Sequence, residues 1–148
     1  MSTLSQFIQN PRPTHWEALK HVIVFLRSTK DLWLTFGRRS KPAAEGFCSA
    51  DWGGQKHHHS ISSYSFHMGA GAISWSLKKQ HVVALSSTKA EYIVQTHMAK
   101  EALWLCSLLR ELRFTPDDPL ILNCDNQGAI ALAKDNKFHT CTKHIDVR

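Results

Sequence analysis

The sequence contains few cysteines, and those it has are scattered along the chain. They are Cys48, Cys106, Cys124 and Cys141, and no two of them form a C-x-x-C pair. Closely paired cysteines are typical of zinc sites, and dense sets of them are typical of disulfide frameworks. The spacing therefore predicts neither kind of site, and we expect reduced thiols in an intracellular protein.

Long apolar runs are also missing. The N-terminus reads MSTLSQFIQNPRP and lacks the apolar centre of a signal peptide. Nowhere does the chain offer the roughly 18 consecutive apolar residues that a membrane-spanning helix needs. We therefore expect no signal peptide, no transmembrane segment and no membrane partner, and a location in the cytoplasm or nucleus.

The chain does carry an excess of basic charge. It has 18 lysine and arginine residues against 12 aspartate and glutamate residues, a net charge of +6 before its 10 histidines are counted. A basic surface attracts polyanions, and neutralising phosphates is the largest sequence-independent contribution to nucleic-acid binding. Nucleic acid is therefore the predicted partner. With 148 residues, 43% of them hydrophobic, the chain is long enough for one ordinary domain with its own core.

The first part of the chain is predicted to be helical. Apolar residues recur at helical spacing over Thr14–Ser28, and Thr14 with Glu17 fits a T-x-x-E capping box. The basic stretch GRRSKP, Gly37–Pro42, is the best candidate for a linker. We therefore expect a helical segment over residues 1–42 and a second domain over residues 43–148.

The second domain shows strand patterns before helical ones. The runs GFCSADW, ISSYSFHM and AISWSL, with a turn at Gly69–Gly71, predict an antiparallel meander. Ser86–Thr88 offers N-caps for a long helix that ends near Leu112, and the strand LILNC and the helix NQGAIALAKD follow. The predicted fold is α/β, with a mixed sheet built from three antiparallel strands, a helix, a further strand and a helix. The tryptophans predicted to lie in the core are Trp52, Trp75 and Trp104.

Acidic residues stand at the ends of these elements, and each has an ordinary explanation. Glu91 continues the apolar stripe of the long helix near its start, where a carboxylate also suits the helix dipole. Asp125 follows the strand LILNC, where ligand sites gather in α/β sheets, but aspartate is also a good N-cap for the helix near Gln127. Asp146 and Asp51 are typical surface and loop-edge charges. If these carboxylates converged they could hold Mg²⁺, but spacing alone does not decide this.

Several longer strings carry a family resemblance. AISWSLKKQHVVALSSTKAEY, KEALWLCSLLRELRF, CDNQGAIALAKD and TKHIDVR follow one another in this chain. In that order they resemble the RNase H domain of copia-type retrotransposon Pol polyproteins. The leading segment LSQFIQNPRPTHWEALKHVIVFLRST resembles the connection between reverse transcriptase and RNase H in the same polyproteins.

The resemblance implies a fold, an activity and a context. It implies an RNase H-like fold that cleaves RNA in RNA–DNA hybrids with two Mg²⁺ ions, for which Mn²⁺ can substitute, held by four carboxylates. It also implies an ancestral place in a larger Pol polyprotein beside reverse transcriptase and integrase. We find no reverse transcriptase motif in this chain and expect no polymerase activity from it.

The resemblance also assigns candidate site residues. Glu91 in TKAEY, Asp125 in CDNQ and Asp146 in KHID match three of the family's metal-binding carboxylates. The family's first aspartate lies in a strand reading like SDADW, where this chain has Ser49, and Asp51 matches the second acid of that strand. Serine is neutral and a poorer Mg²⁺ ligand than a carboxylate, so we expect hydrolysis to be absent or very weak. Asp51 shares a strand face with Ser49, but a shift of about 6.6 Å is too far for its short side chain.

The end of the chain and three of its lysines carry two further expectations. Family members continue past HIDVR with a further helix, so we expect a truncated C-terminal helix and a poorly held Asp146. Lys56, Lys78 and Lys79 lie near hairpin ends and are either phosphate contacts or ordinary surface lysines. Three functions stay open: an active ribonuclease H, a non-catalytic module that binds hybrid or other duplex, and a decayed fragment. Ser49 and the truncation favour the last two.

Overall fold

The structure, a computed structural model, describes residues 2–34, 36, 44–54, 58–114 and 119–134. The chain divides into two compact units, residues 1–34 and 35–148. The first unit contains the helices α1 (Ser2–Ser5) and α2 (Pro13–Ser28). The elements of the second unit are, in order, β1 (Ala44–Asp51), β2 (Ile61–Met68), β3 (Gly71–Lys79), α3 (Ser87–Glu111), β4 (Ile121–Cys124) and α4 (Gln127–Lys134).

Helix α2 starts differently from the prediction. The capping box predicted for Thr14 and Glu17 is wrong, because the backbone N–H of Arg12 donates to Nδ1 of His15 at 3.0 Å. Pro13 occupies the first helical position, where its missing N–H costs nothing and its fixed φ suits the helix. Thr14 therefore lies inside the helix, and Glu17 forms a salt bridge with Lys20 at 2.9 Å instead.

The sheet of the second unit is mixed, as predicted. Its strand order is β3-β2-β1-β4, with β1, β2 and β3 antiparallel and β4 parallel to β1. A parallel neighbour requires a long crossover connection, and here α3 lies in that connection. Cys48 of β1 and Cys124 of β4 are direct partners in the parallel register.

The core lies between α3 and the sheet. Phe66 of β2 and Val94 of α3 are completely buried, and Met98 is 1% exposed. Leu112, the C-cap of α3, is 67% exposed, so the buried side of the helix does not extend to its end. A second small cluster of Ala84, Ala90 and Ile93 packs near the start of α3.

Three tryptophans were predicted to lie in the core, and this prediction is wrong. Trp52, Trp75 and Trp104 are 52%, 69% and 56% exposed. Trp75 lies on β3, which is an edge strand, so its side chain is not enclosed by further strands. Trp52 instead donates its indole N–H to the carbonyl of Ala84 at 2.9 Å, which ties the end of β1 to the loop before α3. Within the described residues, no helix is both long and apolar enough to cross a membrane.

Candidate functional site

Glu91 is buried on the side of α3 that faces the sheet. The helix begins with Ser86 as N-cap, whose hydroxyl accepts from the backbone N–H of Lys89 at 3.3 Å. Glu91 is only 6% exposed, and its Oε1 accepts from the backbone N–H of Ala50 at 2.8 Å, while Oε2 has no hydrogen-bond partner among the described residues. Burial raises the pKa of Glu91, the Ala50 hydrogen bond lowers it, and the charge of Asp125 raises it again. α3 therefore holds a poorly solvated carboxylate against β1.

Asp125 follows β4 and lies close enough to Glu91 to act on its charge. The alternative that Asp125 caps the next helix is wrong. The N-cap of α4 is Asn126, whose Oδ1 accepts from the backbone N–H of Ala129 at 2.9 Å. Asp125 thus lies at the carboxyl end of a strand, near enough for its charge to raise the pKa of Glu91, while the neighbouring Asn126 caps the helix.

Ser49 and Asp51 lie elsewhere. Side chains alternate between the two faces of a strand, and on β1 Cys48 is buried while Ser49 and Asp51 are exposed. The carbonyl of Ser49 accepts from the hydroxyl of Ser63 on β2 at 2.9 Å. The side chain that β1 directs toward Glu91 is therefore that of Cys48, and the structure does not bring Ser49 or Asp51 to the same place.

Two cysteines complete the group around Glu91. Among the described residues, the Sγ atoms of Cys48 and Cys124 and a carboxylate oxygen of Glu91 all lie within 4.8 Å of one another. Burial, together with the nearby Cys124, Glu91 and Asp125, raises the pKa of the Cys48 thiol to about 12. The Sγ–H of Cys48 donates to the carbonyl of Asn123 at 3.7 Å. The two cysteines are far apart in the sequence but lie together in the fold, because they are register partners on the parallel strands β1 and β4.

The remaining candidates are basic or fall outside the described residues. Asp146 and Lys56 are among the residues that the structure does not describe. Lys78 and Lys79 are exposed at the end of β3. The pKa of His97 on α3 is lowered by burial and then by its basic neighbours Lys100, Lys78 and His81. Lys78 and Lys79 thus lie in a region where several basic side chains gather.

The donors around Glu91 fit Mg²⁺ only in part. Mg²⁺ prefers oxygen ligands and can be held by one or two carboxylates together with waters and substrate phosphates. Glu91 is one such carboxylate, and Asp125 is near enough for its charge to act on Glu91. The thiols of Cys48 and Cys124 do not favour Mg²⁺, because soft sulfur ligands suit other metals. The described residues therefore do not assemble the four carboxylates that the family resemblance implies.

The mixed sheet and its helices form an RNase H-like α/β domain. In sequence, the chain is 42% identical over 149 residues to the "Retrovirus-related Pol polyprotein from transposon TNT 1-94" of Nicotiana tabacum. It is 37% identical over 146 residues to the "Retrovirus-related Pol polyprotein from transposon RE2" of Arabidopsis thaliana. The chain belongs to the Pol polyprotein family of copia-type retrotransposons.

The extent of these matches is unequal. They cover 100% and 98% of this chain but only 11% and 10% of the two polyproteins. A shorter relative, the "Secreted RxLR effector protein 161" of Plasmopara viticola, is 43% identical over 106 residues, which are 71% of this chain and 75% of that protein. A segment of this kind therefore occurs both in long polyproteins and in a short protein. No protein-family model and no solved structure matches the chain.

Proposed function

We propose that this chain is a retrotransposon-derived RNase H-like domain whose ancestral activity is cleavage of RNA in RNA–DNA hybrids, and that hydrolysis is impaired here. One observation carries the proposal. Glu91 is buried with the charge of Asp125 acting on it, but the side chain that β1 places beside Glu91 is the thiol of Cys48 and not a carboxylate. The proposed ancestry is supported by the Pol polyproteins that match 100% and 98% of this chain.

The proposed impairment concerns how metal ions would be held. When bound, two Mg²⁺ ions activate the attacking water and stabilise the leaving oxygen. Glu91 and Asp125 would hold an ion, and the hydrogen bond from Ala50 fixes the orientation of the Glu91 carboxylate. Ser49 is neutral and exposed on the other face of β1, so it adds no charge to balance a second cation. Weak metal binding is the expected result.

The proposed substrate is an RNA–DNA hybrid, which such a domain can distinguish from DNA by the 2′-hydroxyls of the RNA strand. The exposed Lys78 and Lys79 are suited to contact its phosphates, and His81 and Lys100 add basic groups nearby. The net charge of +6 favours such binding in general. Hybrid binding without cleavage is the alternative that these observations favour over an active enzyme.

A cleavage assay tests the proposal. The purified full chain is incubated with a labelled RNA–DNA hybrid in Mg²⁺ and, separately, in Mn²⁺. We expect binding with no cleavage or very slow cleavage. Mg²⁺-dependent cleavage that Glu91→Gln abolishes would contradict the impairment. Glu111→Gln is the matched control, because it makes the same change at an exposed position near the other end of α3.

A further inference from the structure

Two thiols and a buried carboxylate converge where β1, β4 and α3 meet. We propose that Cys48, Cys124 and Glu91 form a binding site for a thiophilic divalent cation of the zinc class. Their donor atoms lie within 4.8 Å of one another. Tetrahedral zinc, with bonds of about 2.3 Å to sulfur and about 2.1 Å to oxygen, needs donors separated by roughly 3.5–3.8 Å. Each pair of donor atoms therefore needs to close by at most about 1.3 Å.

Glu91 provides an independent indication that a cation belongs there. Glu91 is only 6% exposed, and its Oε2 has no hydrogen-bond partner among the described residues. The other oxygen is fixed by the backbone N–H of Ala50 at 2.8 Å. An unpaired buried carboxylate oxygen is unfavourable, because it loses its hydration and gains nothing in return. A cation between Glu91 and the two thiols would supply the missing partner.

The chemistry of the donors selects the class of metal. Thiolates favour zinc-class ions over Mg²⁺ or Ca²⁺, and three protein ligands leave a fourth position for water or for the neighbouring Asp125. Both thiols release their protons to solvent as the two metal–sulfur bonds form, so two thiolates and one carboxylate face a divalent ion. The Nε2 group of Gln95 already donates to Sγ of Cys124 at 2.8 Å, a contact that would orient that ligand.

An entry route leads to the same group. A cavity of about 410 Å³ lies between α3, β4 and α4, and Gln95 and Cys124 are among the residues that line it. An ion can therefore reach the sulfur of Cys124 without first opening the core around Cys48. The inference goes beyond the proposed function and does not rest on it, because metal binding is measured without any nucleic acid.

Cobalt and zinc titration of the full chain tests the site. The chain carries Cys106→Ser and Cys141→Ser, which leave the two thiols of the site as its only cysteines, and a phosphine keeps it reduced. We expect one Co²⁺ per chain with thiolate-to-cobalt charge-transfer absorption, displacement of Co²⁺ by Zn²⁺, and a higher melting temperature with Zn²⁺. X-ray absorption at the zinc edge should show two sulfur ligands at about 2.3 Å.

Single changes within this background then identify the ligands. Cys48→Ser and Cys124→Ser should each weaken Co²⁺ binding by more than about 100-fold, beyond the 10- to 100-fold typical of outer contacts. Glu91→Gln should weaken binding while the charge-transfer absorption remains.

The inference is overturned if the background chain, folded by circular dichroism, gives no charge-transfer absorption or no sulfur ligands. It is equally overturned if Cys48→Ser or Cys124→Ser is folded and binds unchanged. Should a serine variant not fold, the spectra of the background chain decide the question without it.

Discussion

At the scale of single residues, Glu91 links stability to pH. Burial raises its pKa in the folded chain, so the folded state holds the proton more tightly than the unfolded state does. The stability contributed by the protonated form is present below the unfolded pKa of about 4.3 and is lost as the pH rises through the folded pKa. Glu91→Gln removes this loss and should raise the free energy of unfolding at neutral pH by about 1 kcal/mol.

Urea unfolding in the presence of a chelator, at about pH 4 and about pH 7, measures this effect. The stability of Glu111→Gln, the same change at an exposed position of α3, should stay close to that of the unmodified chain at both pH values. A Glu91→Gln variant that is less stable at neutral pH would contradict the prediction.

Cys48 should be chemically inert when no metal is bound. Its pKa of about 12, raised mainly by burial, leaves almost no thiolate near neutral pH. Cys106 is exposed on α3 and serves as the internal control. We expect iodoacetamide to modify Cys48 at least about tenfold more slowly than Cys106, as measured by peptide mass spectrometry over time. Equal rates at the two cysteines would show that Cys48 is accessible and ionised.

Individual site residues differed in how far the sequence could predict them. Glu91 and Asp125 were assigned as candidates by the family resemblance, because spacing alone left each with an ordinary explanation, and their role as metal ligands stays a prediction. The grouping of Cys48 with Cys124 was not predicted, because it depends on the register of two parallel strands that no local pattern specifies. Ser49 is exposed because it lies on the opposite face of β1 from the buried Cys48.

At the scale of elements, α3 depends on its N-cap. The Ser86 hydroxyl accepts from the backbone N–H of Lys89, one of the donors that the helix itself leaves without a partner. Ser86→Ala should lower the free energy of unfolding by about 1 kcal/mol, as measured by urea denaturation. Ser87→Ala is the matched control, because Ser87 is the exposed first residue of the helix and makes no cap contact in this structure. Equal losses in both variants would argue against the cap.

The helices and strands were predicted better than the burial of their side chains. The meander, the long helix and the mixed sheet follow from periodicity and turn residues, and the structure confirms them. The start of α2 was missed because Pro13 determines it rather than the T-x-x-E pattern. Trp75 was placed in the core because it is large and apolar, but the position of β3 at the sheet edge leaves it exposed. Strand order, which no local pattern contains, decided that outcome.

At the scale of the whole molecule, hybrid binding should depend on the basic region around β3. Lys78→Glu with Lys79→Glu should weaken binding of an RNA–DNA hybrid by at least about tenfold and reduce its dependence on salt, because fewer counterions are released. Fluorescence anisotropy at several salt concentrations measures both effects. The control is Lys20→Glu with Arg27→Glu, which makes the same charge change on α2. Equal weakening by the two pairs of substitutions would indicate that hybrid binding depends on net charge alone and not on the basic region around β3.

The parallel pairing of β1 with β4 has a consequence for the order of synthesis. β1 can pair with β2 soon after both have been made, but its other edge waits for Ile121–Cys124, after the whole of α3 has been translated. Until then the nascent chain presents an open strand edge, which invites pairing with another nascent copy. We therefore expect misfolding through this edge to be more frequent when many ribosomes translate one message than when the finished protein is concentrated.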